Sequence, residues 1–284
     1  MKFGIHLSTL TKQWGDDLFS LMPKVKALGY DGVEFPLMSP ETFDIETAKK
    51  ALEDNGLQCT CGTGLHPEAD ITSADPQRHA NGVQRLKACI DICEQLGSDT
   101  LAGVIYAPWG VFTSRQAGAA GIERSLATLR ELGDYAAARN VTLAMEILNR
   151  YESSFVNTVE EGLMYMARID HLNVRLHLDT FHSFIEEKDL SAAIHRGGEF
   201  IHHVHLCENT RGIPGTGAID WQGVKAALQA INYDRWLTIE NFVMPDCEVG
   251  EATFIWRHVE TDGWAAAQGG IAFMQQQFSE EQTC

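Results

Sequence analysis

A (β/α)8 barrel is the fold this sequence predicts, and three observations predict it. Eight short β-like runs alternate with eight segments of helical spacing along the chain. The length, 284 residues, accommodates two small domains or one large α/β barrel, because barrels routinely exceed the usual length per domain. No linker, internal repeat or low-complexity tract interrupts the alternation, so residues 1–284 read as one barrel domain closed by a C-terminal helix. A doubly wound open sheet is the other arrangement that the same units allow.

The strands are expected in order at FGIHL (3–7), GVEFP from Gly32, QCTCG from Gln58, TLAGV from Thr100, VTLAMEI from Val141, VRLHLD from Val174, IHHVHL from Ile201 and WLTIEN from Trp236. The first helical segment is LFSLMPKVKALG, where Leu18, Leu21, Met22, Val25 and Leu28 share one face and Gly29 follows as a C-cap. The others are expected to start near Ile45, Pro76, Ala117, Thr158, Glu186 and Asp220, and a last helix runs from about Trp264 to Phe278.

Composition excludes several classes of function. A net charge of -17 and a pI near 5.0 argue against nucleic acid as a partner, because affinity for a phosphate backbone needs clustered Lys and Arg that release counterions. The N-terminal KFGIHLSTL lacks the long apolar stretch of a signal peptide, and no run approaches about 18 consecutive apolar residues, so a cytoplasmic protein with no membrane association is expected. The seven cysteines form no CxxC pair and read as reduced, packed thiols.

The chemistry is expected at the C-terminal ends of the strands, where barrel enzymes build their pockets from the βα loops. Glu146 ends the fifth strand, Asp179 the sixth, His205 stands in that position on the seventh and Glu240 on the eighth. A buried carboxylate without a counter-charge costs several kcal/mol, and three converging on one rim repel one another, so a positive charge is expected among them. Two Glu, one Asp and one His make a hard, oxygen-rich ligand set that suits Mn²⁺ or Mg²⁺ better than a structural zinc. His177 and His203 lie two residues before ligand candidates and so point into the barrel, which leaves His202 facing the helices. Gly212, Gly215 and Gly217 after the seventh strand suit a flexible lid better than a phosphate cradle, since Arg211 is the only cation beside them.

With EILNRYE, LDTFH, HLCENTR, the GTGAIDW loop and IENF in place, the chain resembles over nearly its whole length the ketose 3-epimerases (D-tagatose, D-psicose and L-ribulose 3-epimerases) of the xylose-isomerase-like TIM barrel superfamily. The resemblance implies an isomerase that interconverts ketoses epimeric at C3 through an enediolate. One divalent metal per chain is implied, usually Mn²⁺ with Mg²⁺ or Co²⁺ possible, held by Glu146, Asp179, His205 and Glu240, the two glutamates also serving as acid and base. It further implies that Glu152, His182 and Arg211 bind the first two sugar oxygens, that Trp14, Trp109 and Phe242 wall the pocket, and that the protein is a homo-oligomer, dimer or tetramer. The sequence departs from the family at His6 and Leu7 and at GLHPEAD with His66, segments expected to line the distal part of the sugar. Alternatives on the same barrel are an aldose–ketose or hydroxypyruvate-type isomerase, an inosose dehydratase, and an endonuclease IV-type enzyme. The last is disfavoured because Asp220 is followed by Trp221 with no His two residues on and because the chain is acidic. An inactive sugar-binding or metal-storage protein would not need Glu146 and Glu240 together with Glu152, His182 and Arg211.

Overall fold

The computed structural model describes residues 1–279, with the side chains of residues 115–117 excepted. Its strands are β1 (Lys2–His6), β2 (Gly32–Pro36), β3 (Gln58–Leu65), β4 (Thr100–Pro108), β5 (Thr142–Glu146), β6 (Val174–Asp179), β7 (Ile201–Leu206) and β8 (Trp236–Ile239). All pair in parallel in sequence order, and β8 returns to β1 through Lys2↔Trp236 to Ile5↔Ile239, closing the barrel. The open-sheet alternative is therefore excluded.

The helices are α1 (Met22–Leu28), α2 (Ile45–Asn55), α3 (Pro76–Leu96), α4 (Arg115–Ala137), α5 (Val159–Ile169), α6 (Thr180–Glu186), α7 (Leu190–Gly197), α8 (Trp221–Ala230), α9 (Glu248–Ala252) and α10 (Gly263–Phe278). Local chemistry sets where they begin. Asp44, Asp75, Thr158, Asp220 and Asp262 accept backbone N–H bonds as N-caps of α2, α3, α5, α8 and α10, supplying acceptors that a first turn otherwise lacks. In the first helical segment, Phe19–Leu21 winds as a 3-10 turn and α1 begins at Met22, with Pro23 in the first turn where its missing N–H costs nothing. Gly29 closes α1 at φ 100°, a left-handed position that favours glycine. Met22 and Val25 are fully buried, while Leu21 and Leu28 pack at the margin of the core.

Four expectations about the elements need correction. Leu7 leaves β1 for a short 3-10 turn and lies in the hydrophobic core. β8 stops at Ile239, so Glu240 is the first residue of the following loop. Near Glu186 a helix ends rather than begins: Asp179 caps α6 directly off β6, and the next helix, α7, starts at Leu190 behind its own cap, Asp189. The fourth concerns His202. Leu176 pairs with Ile201 but His177 pairs with His203, so β7 carries one extra residue there. This bulge breaks the period-two alternation and turns His202 away from the helices, to within 3.0 Å of Thr100 Oγ1 on β4, three strands away around the closed barrel.

The six cysteines among the described residues are free and buried, as packed thiols should be. No helix among the described residues is long and apolar enough to cross a membrane.

Candidate active site

The ends of β5 to β8 bring Glu146, Asp179, His205 and Glu240 together, with one ligating atom of each within 4.8 Å of the others, and all four are buried. Asp179 shows how sequence and site are joined. As N-cap of α6 its Oδ1 accepts the His182 N–H at 2.9 Å, which leaves Oδ2, buried and without a hydrogen-bond partner, facing the cluster. The same cap places His182 on the first turn of α6, where its ring meets the end of β5: Nε2 lies 3.6 Å from Glu146 Oε1. Burial pushes the His182 imidazole down to about 3, so the ring is neutral at physiological pH.

Glu152 reaches the site through a turn. Asn149 Oδ1 accepts the Tyr151 N–H at 2.9 Å and its carbonyl accepts the Glu152 N–H at 3.0 Å, folding the chain back after β5. The Glu152 carboxylate is then held by Asn149 Nδ2 at 3.0 Å and Trp109 Nε1 at 3.1 Å. It is buried rather than a solvated surface group.

Arg211 is likewise buried, at 5% exposure, although it sits on a loop. Its backbone is left-handed, φ 67°, and its carbonyl accepts from Phe242 N and Asn241 Nδ2, so the loop after β8 fixes the conformation. The guanidinium lies over the Phe181 and Phe242 rings and reaches Glu240 at 3.1 Å, His182 at 3.1 Å, Asp179 at 3.6 Å and Glu152 at 3.9 Å. Trp14, Trp109 and Phe242 line the same cavity, together with Glu146, Glu152, His182, His205, Arg211 and Glu240. His6 lines it too, but beside the carboxylates: its ring nitrogens are 3.8 Å from Glu34 and 3.9 Å from Glu240. His66, by contrast, is exposed and does not line the cavity.

The electrostatics call for a cation. Among the described residues, one guanidinium serves Glu152, Asp179 and Glu240, and Glu146 has no Arg or Lys within ion-pair distance. Burial and the neighbouring Glu240 push the Glu146 carboxyl well up, while Glu240 is held low against its own burial by His205. The orphaned Asp179 Oδ2 and His205 Nδ1, together with this uncompensated charge, fit a divalent metal bound by the four residues.

Several residues of the site were not singled out in the sequence. Glu34 on β2 is wholly buried, and its oxygens lie 2.8 Å from His205 Nε2, 2.6 Å from His203 Nε2 and 2.6 Å from Thr60 Oγ1. The signal that marked Glu146, a carboxylate inside an apolar strand, was present in GVEFP as well. Asn149, which bridges Glu152 and His182, had no such signal. Neither had Glu208, which is fully buried and accepts from Asn209 N, Gly215 N, Ile219 N and Trp221 Nε1 at 2.8–3.1 Å. The protein's own carboxylate thus occupies the cradle that the loop glycines form and hydrogen-bonds the loop expected to act as a lid. At Gly217 a Cβ would lie 2.2 Å from Asn209 Oδ1, so the loop closes only around glycine.

Comparison with known proteins agrees with this geometry. The family model described as xylose isomerase-like TIM barrel matches residues 22–273. A ketose 3-epimerase of Arthrobacter globiformis is 33% identical over 279 residues, covering 96% of each chain. An L-ribulose 3-epimerase of Mesorhizobium japonicum is 35% identical over 260 residues, 91% of this chain and 87% of that one. The crystal structure of a D-allulose 3-epimerase from Methylomonas sp. in complex with D-allulose superposes with a TM-score of 0.92 at 30% identity, over 98% of this chain and 97% of the other. The chain belongs to the xylose isomerase-like TIM barrel family and, within it, to the ketose 3-epimerases.

Proposed function

We propose that this isomerase inverts C3 of free ketoses by removing a proton from one face of the carbon and returning one to the other. The observation that carries the reading is the convergence of Glu146, Asp179, His205 and Glu240 in one buried cluster beside Arg211, His182 and Glu152, in a chain whose relatives are named 3-epimerases. A divalent metal, for which Mn²⁺ is our proposal, supplies Lewis acidity there when held by the four cluster residues, stabilising negative charge on the substrate oxygens. One of Glu146 and Glu240, which come from β5 and the end of β8, takes the C3 proton; the electron pair of the C–H bond forms the C2–C3 double bond as the carbonyl π pair moves onto the C2 oxygen, giving an enediolate. The other carboxyl group delivers a proton to the opposite face, and the carbonyl re-forms. Arg211, with neutral His182 beside it, holds the oxygen on which charge develops, the guanidinium donating the hydrogen bonds, and Glu152 accepts from a sugar hydroxyl. Trp14, Trp109 and Phe242 close the cavity and exclude water. A homo-oligomer in the cytoplasm completes the proposal.

Unphosphorylated sugars are favoured because the backbone N–H groups of the loop after β7 are already occupied by Glu208. The isomerase, dehydratase and endonuclease alternatives have no comparable support among relatives. The test is turnover of free ketopentoses and ketohexoses with added Mn²⁺, set against their phosphates. Epimerisation of the free sugars supports the reading; aldose formation, dehydration, or activity confined to phosphates overturns it.

A further inference from the structure

We infer that Glu34 is a positioning residue for the metal centre, acting through His205. His205 presents Nδ1 to the carboxylate cluster, 3.4 Å from Glu240 Oε1, and Nε2 to Glu34 Oε1 at 2.8 Å. An ionised carboxylate only accepts, so this contact places the ring proton on Nε2 and frees the Nδ1 lone pair for a cation. A carboxylate behind a ligating imidazole also raises the basicity of the ligand and fixes the ring plane.

The surroundings of Glu34 fit this role. It sits mid-strand on β2, wholly buried, with no Lys or Arg within ion-pair distance among the described residues. A carboxylate so placed is costly unless a positive charge compensates it. Its neighbours are Thr60, which donates at 2.6 Å, and the rings of His203, His205 and His6. Gly62 keeps the space open: a Cβ there would stand 3.1 Å from Glu34 Oε1. Thr60, on the neighbouring strand β3, anchors Oε2, so that Oε1 is aimed at His205. The inference rests on the metal-site reading of the cluster and adds to it a residue that does not itself touch metal or substrate.

The experiment measures metal affinity rather than turnover. The parent protein and E34Q, both stripped of metal, are titrated with Mn²⁺ and Co²⁺ against a chelating indicator, and the absorption bands of the Co²⁺ forms are recorded. E34Q keeps the side-chain volume and removes the charge, so its affinity should fall about 10–100-fold, with shifted Co²⁺ bands. A partner variant, T60V, removes one hydrogen bond to Glu34 and leaves its charge, and should lose affinity by a smaller factor above about twofold. Tight metal binding by the parent with natively folded E34Q binding within twofold and showing the same Co²⁺ spectrum overturns this inference alone. A parent that binds no divalent metal overturns the metal-site reading and this inference with it. Should E34Q fail to fold, T60V decides: unchanged affinity and spectrum refute the positioning role, and weakened binding with altered bands supports it.

Discussion

Replacing Arg211 tests both the electrostatics and the chemistry of the site. The guanidinium is the one Arg or Lys group within 4 Å of Asp179, Glu152 and Glu240 among the described residues, and it is itself buried. Alanine in its place leaves these carboxylates without that partner, a change that costs about 3–5 kcal/mol when a buried ion pair loses one member. The backbone contributes little to the difference. Arg211 and an alanine at φ 67° suffer the same left-handed strain, so the loss reports the side chain. At about 2 °C per kcal/mol for a chain of this size, metal-free R211A should melt roughly 6–10 °C below the metal-free parent. Added metal should restore part of that difference by supplying positive charge to the same carboxylates. Catalysis should suffer independently. Losing a donor aimed at developing charge costs about 2.7–4 kcal/mol, so kcat/KM with saturating metal should fall about 10²–10³-fold, and R211K should recover only part because it lacks the planar fork. Calorimetry of the apo and metal-loaded proteins, with kinetics on a free ketose, measures both effects. Activity within twofold of the parent together with an unchanged melting temperature would refute the reasoning.

Other outcomes follow from the same geometry. Exhaustive chelation should abolish activity and lower the melting temperature, because Glu146, Asp179 and Glu240 are left to repel one another, and Mn²⁺ should restore turnover better than Zn²⁺; full activity in verified metal-free protein contradicts this. H182A should keep about one metal per chain while losing roughly 10²-fold in turnover, and activity near the parent level would reduce His182 to a structural role. In D₂O the product should carry deuterium at C3, and E146Q and E240Q, where they retain metal, should each lose epimerisation yet exchange solvent deuterium into opposite epimers. Unlabelled product would point to a hydride shift. E208A leaves three backbone N–H groups and an indole N–H without their buried acceptor, at about 1–3 kcal/mol each before water enters, so thermal unfolding should shift down by several degrees; no shift would mean that the loop does not depend on that carboxylate.

The order of strands and helices was legible in the chain because each element carries its own period and caps: Asp75 before Pro76 and Thr158 before Val159 mark helix starts without reference to anything distant. The cluster of Glu146, Asp179, His205 and Glu240 was legible too, since barrel topology brings the C-terminal ends of successive strands to one rim, and a polar group at the end of an apolar strand stands out along the sequence. What the sequence left open depends on contacts between residues far apart. Nothing local says that β7 has a bulge, so alternation along that strand misplaced His202. Glycines at 212, 215 and 217 describe a loop able to surround an anion, but only the folded chain brings Glu208 into that cradle. Glu34 and His205 are 171 residues apart, and it is barrel closure, with β1, β2 and β3 facing β7 across a shared interior, that turns a mid-strand carboxylate into a partner for a metal-ligand candidate. Local hydrogen bonding and periodicity determined the elements of this protein, whereas the pairing of its buried charges was decided by tertiary structure, because a charge inside the barrel is tolerable only where the closed fold supplies its partner.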